Sequence, residues 1–173
     1  MNRGKKVVLV SHCILNQNSV VKPYGKDSKD FKDLLIKLIE KNIGIIQLPC
    51  PEISIYGLKR WGHVKDQFET PHFKKQSKLM LENTLENIIE YKNNKYDILG
   101  VIGIKRSPSC GISSTCRGDW YGSVGSEDTK ERLDSLREVD EMGVFMEILK
   151  KSLSEIDIDI DFYDDFNKFI ETL

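Results

Sequence analysis

Apolar residues follow two rhythms along this chain: short continuous runs, and stripes spaced three and four apart. Lys5-Lys6-Val7-Val8-Leu9-Val10 is an unbroken β-branched run and predicts a first strand covered on both faces. Residues 45–48 and 98–104 repeat that pattern, the latter being the most hydrophobic stretch. Between them, Phe31, Leu34, Leu35, Leu38 and Ile39 form one stripe and predict a helix over 30–41, with Gly44 as a plausible C-cap. Thr70-Pro71 reads as the N-cap and first turn of a helix running to about Asn93, its inner face marked by Phe73, Ser77, Met80, Leu81, Thr84, Leu85 and Ile88. Ser126-Glu127-Asp128 opens a further helical stretch that continues, with a break near Glu138, to Leu153. Residues 156–162 alternate apolar side chains with Asp and predict an edge strand, followed by a short helix holding Phe166, Phe169 and Ile170.

Strands alternating with helices imply parallel pairing through right-handed crossovers. The expectation is α/β: one three-layer domain over 1–173 with a short, mostly parallel sheet, Rossmann-like or flavodoxin-like. Its ligand site would lie at the C-terminal strand ends. Three long connections break the regularity, at 11–27, 49–70 and 105–125, and loops of that length inside a compact domain are usually functional.

Charge changes this picture little. Lys and Arg number 26 against 27 Asp and Glu, which argues against a general nucleic-acid binder. No apolar run approaches the roughly 20 residues of a membrane helix, and the first residues do not read as a signal peptide. The expected location is cytoplasmic, where structural disulfides are rare. The four cysteines then point to metal binding, catalysis or plain burial.

Their placement favours a site. Cys13 follows strand one in Ser11-His12-Cys13, Cys50 follows strand two in Cys50-Pro51-Glu52, and Cys110 follows strand three in Ser107-Pro108-Ser109-Cys110-Gly111. In a parallel sheet those strand ends share one edge, so three thiols distant in sequence would converge. The neighbouring prolines stiffen the loops. Three thiolates suit a catalytic zinc with one open position, with His12 as a further nitrogen donor, or an iron–sulfur cube with one open iron. Cys116 reads as a non-ligand in a mobile-looking loop.

These three motifs, in this order, resemble the DUF523 family, which includes the TudS thiouracil desulfidases. The similarity covers roughly residues 5–155 and is tight at the motifs. It departs after Cys-Pro-Glu, where family members carry Gly-Gly-Leu and this chain reads Ile53-Ser54-Ile55-Tyr56-Gly57-Leu58. The resemblance implies a divergent, TudS-related desulfidase with a [4Fe–4S] cluster held by Cys13, Cys50 and Cys110. It also implies catalytic roles for Glu52 and Ser107. Its partner would be a small thiolated pyrimidine base, nucleoside or nucleotide, on a monomer or homodimer, with neither membrane nor large nucleic acid engaged.

Chemistry adds candidate substrate contacts. Ser109 sits beside a ligand position. Tyr56 and Trp61 offer ring faces to a heterocycle, and Lys105 offers a cation. Asp119-Trp120-Tyr121-Gly122 is a second candidate wall. Glu52 would activate water; its bland alternative is a carboxylate making a salt bridge. The rival readings are a mononuclear zinc hydrolase on the same three cysteines and a non-catalytic cluster-binding or redox-sensing protein.

Overall fold

The structure is a computed structural model that describes residues 4–25 and 29–173. Residues 1–3, and 26–28 at the end of the expected 11–27 loop, lie outside the described residues. The strands β1 (Lys6–Val10), β2 (Gly44–Gln47), β3 (Asp97–Ile102) and β6 (Phe162–Tyr163) form one sheet in the order β2-β1-β3-β6. Every pairing in it is parallel. The expected α/β architecture with a short parallel sheet is what the chain adopts.

Period-two alternation explains the layers. Leu9 and Val101 face one side, where α5 (Pro71–Asn93) and α7 (Val144–Glu155) supply Phe73, Leu81, Ile88, Phe145 and Leu149. Val8, Val10 and Ile102 face the other, against Leu34 and Leu38 of α2 (Lys29–Glu40) and Phe169 of α8 (Phe166–Glu171). Thr70 caps α5 as expected, its Oγ1 accepting the Phe73 N–H at 3.2 Å. Among the described residues, no helix is long and apolar enough to cross a membrane.

Four expectations need correction. Gly44 does not cap α2; Asn42 takes the left-handed conformation (φ 54°), and Gly44 begins β2. The long loops are not bare. The first contains α1 (His12–Leu15) and a 3-10 turn at Gln17–Ser19, and the second contains α3 (Pro51–Tyr56) and α4 (Lys65–Phe68). The supposedly mobile surroundings of Cys116 are β4 (Thr115–Arg117), which pairs antiparallel with β5 (Arg137–Val139). That ribbon is the break near Glu138, dividing α6 (Thr129–Ser135) from α7. Finally, of the expected last strand only Phe162 pairs with β3, and Tyr163 just beyond it continues the pairing. Asp157 at φ 54° reverses the chain after α7, so the alternation in 156–161 reflects a helix exit that buries Ile158 and leaves its aspartates outside.

An ion network fastens the ribbon to the helical layer. Arg117 of β4 donates to Asp66, Glu69 and Glu141 at 2.8–3.2 Å. The buried Lys65 reaches Glu141 at 2.9 Å and Glu147 at 2.6 Å. Hydrogen bonds from Arg117 and then Lys65 hold the Glu141 carboxyl down to about 2, from an ordinary 4.5. Arg117 likewise lowers Glu69. A depressed folded-state pKa contributes stability that is complete above the unfolded value and is lost as pH falls through the folded one. The urea midpoint is therefore expected to drop as pH falls from about 4.5 towards 2, and Glu141→Gln should shrink that drop; an unchanged pH profile would remove the network from the account of stability.

Candidate functional site

The parallel sheet brings the C-terminal ends of β1, β2 and β3 to one edge. Cys13 sits in α1 just beyond β1, Cys50 is the N-cap residue of α3 beyond β2, and Cys110 lies in the loop beyond β3. All four cysteines are free thiols, and Cys110 is buried. The three motif thiols are coupled electrostatically, each ionisation opposing the next. Burial pushes the Cys13 thiol up to about 12, and the nearby Cys50 and Glu52 add to the rise. Cys110 is raised well above its ordinary value by burial first and then by Cys13. Burial also raises Cys50, while backbone N–H groups of Ile53 and Glu52 pull the other way. Those N–H groups close no formal cap bond to the sulfur, but their dipoles favour its charged form.

The Cys110 loop is fixed by backbone bonds. Its carbonyls take the otherwise unpartnered N–H groups at the start of α7: Val144 donates to Pro108 at 3.0 Å, and Phe145 and Met146 donate to Ser109 at 3.0 and 3.2 Å. Gly143 donates to Gly111 at 2.9 Å. The approach is so close that a Cβ on Gly143 would stand 2.6 Å from the Ser109 carbonyl, and one on Gly111 would stand 2.3 Å from the Ser114 carbonyl. Within the loop, the Cys110 N–H donates to Ser107 Oγ at 3.0 Å.

Glu52 reaches this loop from α3. Ser109 Oγ donates to Glu52 Oε1 at 2.6 Å, and Arg60 Nε donates to Glu52 Oε2 at 2.8 Å. A hydroxyl has one hydrogen. With that of Ser109 given to Glu52, the 3.2 Å contact between Ser107 and Ser109 requires Ser107 as donor. Ser109 Oγ also lies 3.5 Å from Cys110 Sγ, but its hydrogen goes to the short charge-assisted bond with the carboxylate. The result is a relay, Ser107 to Ser109 to Glu52, closed by a buried guanidinium. Arg60 also donates to the Ser19 carbonyl at 2.8 Å and to the Gly57 carbonyl at 3.3 Å. It thereby ties the segment after β1 to the one after β2.

Cys13, Cys50, Cys110, Glu52, Ser107 and Ser109 thus come together, with Ser109 a positioning group for Glu52. The salt-bridge alternative for Glu52 is also realised, through Arg60. Tyr56 belongs to an aromatic stack with His63 (ring centroids 4.6 Å apart), Phe68 and Phe73, so its inner face is part of the core. Trp61 is 72% exposed. Lys105 lies on the surface, and Arg106 pairs with Glu138 at 3.1 Å. His12 makes 2.6 Å and 3.3 Å contacts with the side-chain amides of Gln47 and Asn16.

Among the described residues, no three His, Cys, Asp or Glu side chains converge closely enough to hold a single metal ion. A lone zinc would need its thiolates about 3.8 Å apart, given Zn–S bonds of about 2.3 Å. A multi-iron core spreads its thiolates over separate irons and asks for a wider triangle. The donor chemistry fits such a core. Three partly or wholly buried thiols beside a carboxylate resist joint ionisation, and a polycationic centre would supply the missing positive charge.

Fold and site define an α/β protein with a thiol cluster at the carboxyl edge of its sheet. The chain is 32% identical over 171 residues to the uncharacterized protein MJ0003 of Methanocaldococcus jannaschii, spanning 99% of this chain and 96% of that protein. It belongs to the same family. No family model matches the chain, and no solved structure does.

Two substitutions test this construction. Arg60→Ala leaves Glu52 buried without its partner and is expected to cost about 3 kcal/mol in urea unfolding; a loss below about 1 kcal/mol would make the pair incidental. Gly143→Ala drives a methyl group into the Ser109 carbonyl and is expected to cost about 1–3 kcal/mol while making Cys110 more accessible to alkylation. Unchanged stability and alkylation rate would show that the loop does not depend on that contact.

Proposed function

We propose that this chain is an iron–sulfur-dependent desulfidase, related to the DUF523 family, that replaces the sulfur of a thiolated pyrimidine with oxygen from water and releases it as sulfide. The observation that carries this reading is the relay of Ser107, Ser109, Glu52 and Arg60 set against three mutually interacting thiols. Cys13, Cys50 and Cys110 would hold a [4Fe–4S] cluster, leaving one iron without a protein ligand. When bound, that group supplies a Lewis-acidic position for the substrate sulfur.

The rest is the work of the chain. Glu52 takes a proton from a water molecule aimed at the sulfur-bearing carbon. Arg60 and Ser109 hold one carboxylate oxygen each, which fixes the direction in which the base faces. Ser107 holds Ser109 in turn and accepts the Cys110 N–H, so the base and a ligand loop share one frame. The reaction balances without oxidant or reductant: a C=S bond and water become a C=O bond and hydrogen sulfide.

Anaerobic reconstitution with iron and sulfide is the test. A brown protein carrying about four irons per chain, and sulfide release from a thiolated pyrimidine, are expected. Replacing Cys13, Cys50 or Cys110 by Ser should abolish iron retention. Glu52→Gln should keep the visible absorption yet slow sulfide release at least about 100-fold. Colourless protein that retains stoichiometric zinc would favour the hydrolase alternative. Full sulfide release by Glu52→Gln would sink the role given to Glu52.

A further inference from the structure

Helix α7 holds one side of the Cys110 loop, and the β4–β5 ribbon holds the other. Thr115 of β4 is wholly buried, and its hydroxyl donates to the Ser107 carbonyl at 3.0 Å. The Gly111 N–H donates to the same carbonyl at 3.0 Å, so both lone pairs of that oxygen are taken. The Ser107 hydroxyl is engaged as well, accepting the Cys110 N–H and donating to Ser109. Ser107 is thus gripped at its backbone from the ribbon and at its side chain from within the loop.

The chain enters this loop in a disfavoured conformation. Arg106, directly before Ser107, has φ 67°, in the left-handed region that side-chain-bearing residues rarely adopt. The ribbon supplies what keeps it there. The Arg106 N–H donates to the Ser114 carbonyl at 2.9 Å. Glu138 of β5 meets the Arg106 side chain at 3.1 Å and accepts from the Ser114 hydroxyl at 2.6 Å. Strained backbone of this kind persists only where its surroundings over-determine it, and such positions gather at functional sites. Thr115 itself goes against economy. Valine would fill the same space in a strand without burying a hydroxyl, and the bond to Ser107 is what offsets that burial.

We propose that Thr115 is a positioning residue, whose hydroxyl fixes the Ser107 peptide carbonyl and thereby aims the Ser107–Ser109–Glu52 relay. It acts through Ser107 and not on the reacting atoms. The inference rests on the desulfidase reading for what the relay does, while the bond itself can be tested without iron.

Thr115→Val removes the oxygen at nearly constant shape. Thr115→Ser and Thr115→Ala differ from each other by the hydroxyl alone, which keeps the comparison open if valine is not accommodated. Backbone amide exchange of the iron-free protein is followed by NMR. The Cys110 and Gly111 amides donate to Ser107, whereas Val101 donates within the sheet. In Thr115→Val and Thr115→Ala the first two are expected to exchange at least about fivefold faster relative to Val101, and to return to the parent rate in Thr115→Ser. In protein reconstituted anaerobically with iron and sulfide, Thr115→Val should keep the parent's iron content and lower kcat for sulfide release from 2-thiouracil about tenfold, with KM within about twofold. Because the residue works through Ser107, adding Thr115→Val to Ser107→Ala should lower kcat by less than about twofold more.

The inference is overturned if the Cys110 and Gly111 amides exchange in Thr115→Val and Thr115→Ala as in the parent. It is also overturned if all amides quicken together in both variants, which marks a loss of global stability, or if the two substitutions lower kcat independently. Sulfide release untouched by Thr115→Val would remove the positioning role and leave the desulfidase reading intact. Faster exchange at those two amides, restored by serine, in a protein whose parent releases no sulfide would remove the desulfidase reading and keep Thr115 as the support of Ser107.

Discussion

The first N–H groups of a helix have no partner within it, and the arrangement of this site depends on where those of α7 go. They grip the carbonyls of Pro108 and Ser109, so the loop bearing Cys110 is set by a helix packed into the core through Phe145, Ile148 and Leu149. Position is thereby passed from hydrophobic packing to a thiol through backbone bonds alone. The closeness of this contact is why glycine stands at 143, while Gly111 answers a separate close approach to the Ser114 and Ser107 carbonyls. At Gly143 the φ is −72°, so the requirement there is space rather than an unusual backbone conformation.

Charge sets a second constraint. The thiol site gathers three thiols and a carboxylate and gives them one buried guanidinium. Elsewhere the molecule handles acidity differently: Arg117 and Lys65 meet four carboxylates at a partly wetted surface, where solvent tolerates the excess. At the thiol site, desolvation makes such an excess expensive, and the thiols stay protonated unless cations arrive.

Much of this was legible in the sequence because it is written in local pattern. β1 and β3 are continuous apolar runs that only a doubly covered strand explains, and the cysteines' offsets from the strand ends survive small errors in strand boundaries. The β4–β5 ribbon was not legible. Thr115-Cys116-Arg117 and Arg137-Glu138-Val139 are too short and polar to show a period, and their pairing joins residues about twenty apart. The Asp-Ile alternation of 156–161 misled for the opposite reason: a chain leaving a helix along a core edge can produce the rhythm of a strand. The Glu52–Arg60 pair could have been suspected from opposite charges eight residues apart across a glycine. Its burial and its reach to Ser19 are tertiary facts.

Arg60 has one further implication. Its guanidinium spans α3, the Gly57 turn and the Ser19 carbonyl, so the walls that carry Cys13 and Cys50 are pinned together by protein alone. The segments after β1 and β2 therefore behave as one body, and a change that loosens either of them reaches both Cys13 and Cys50.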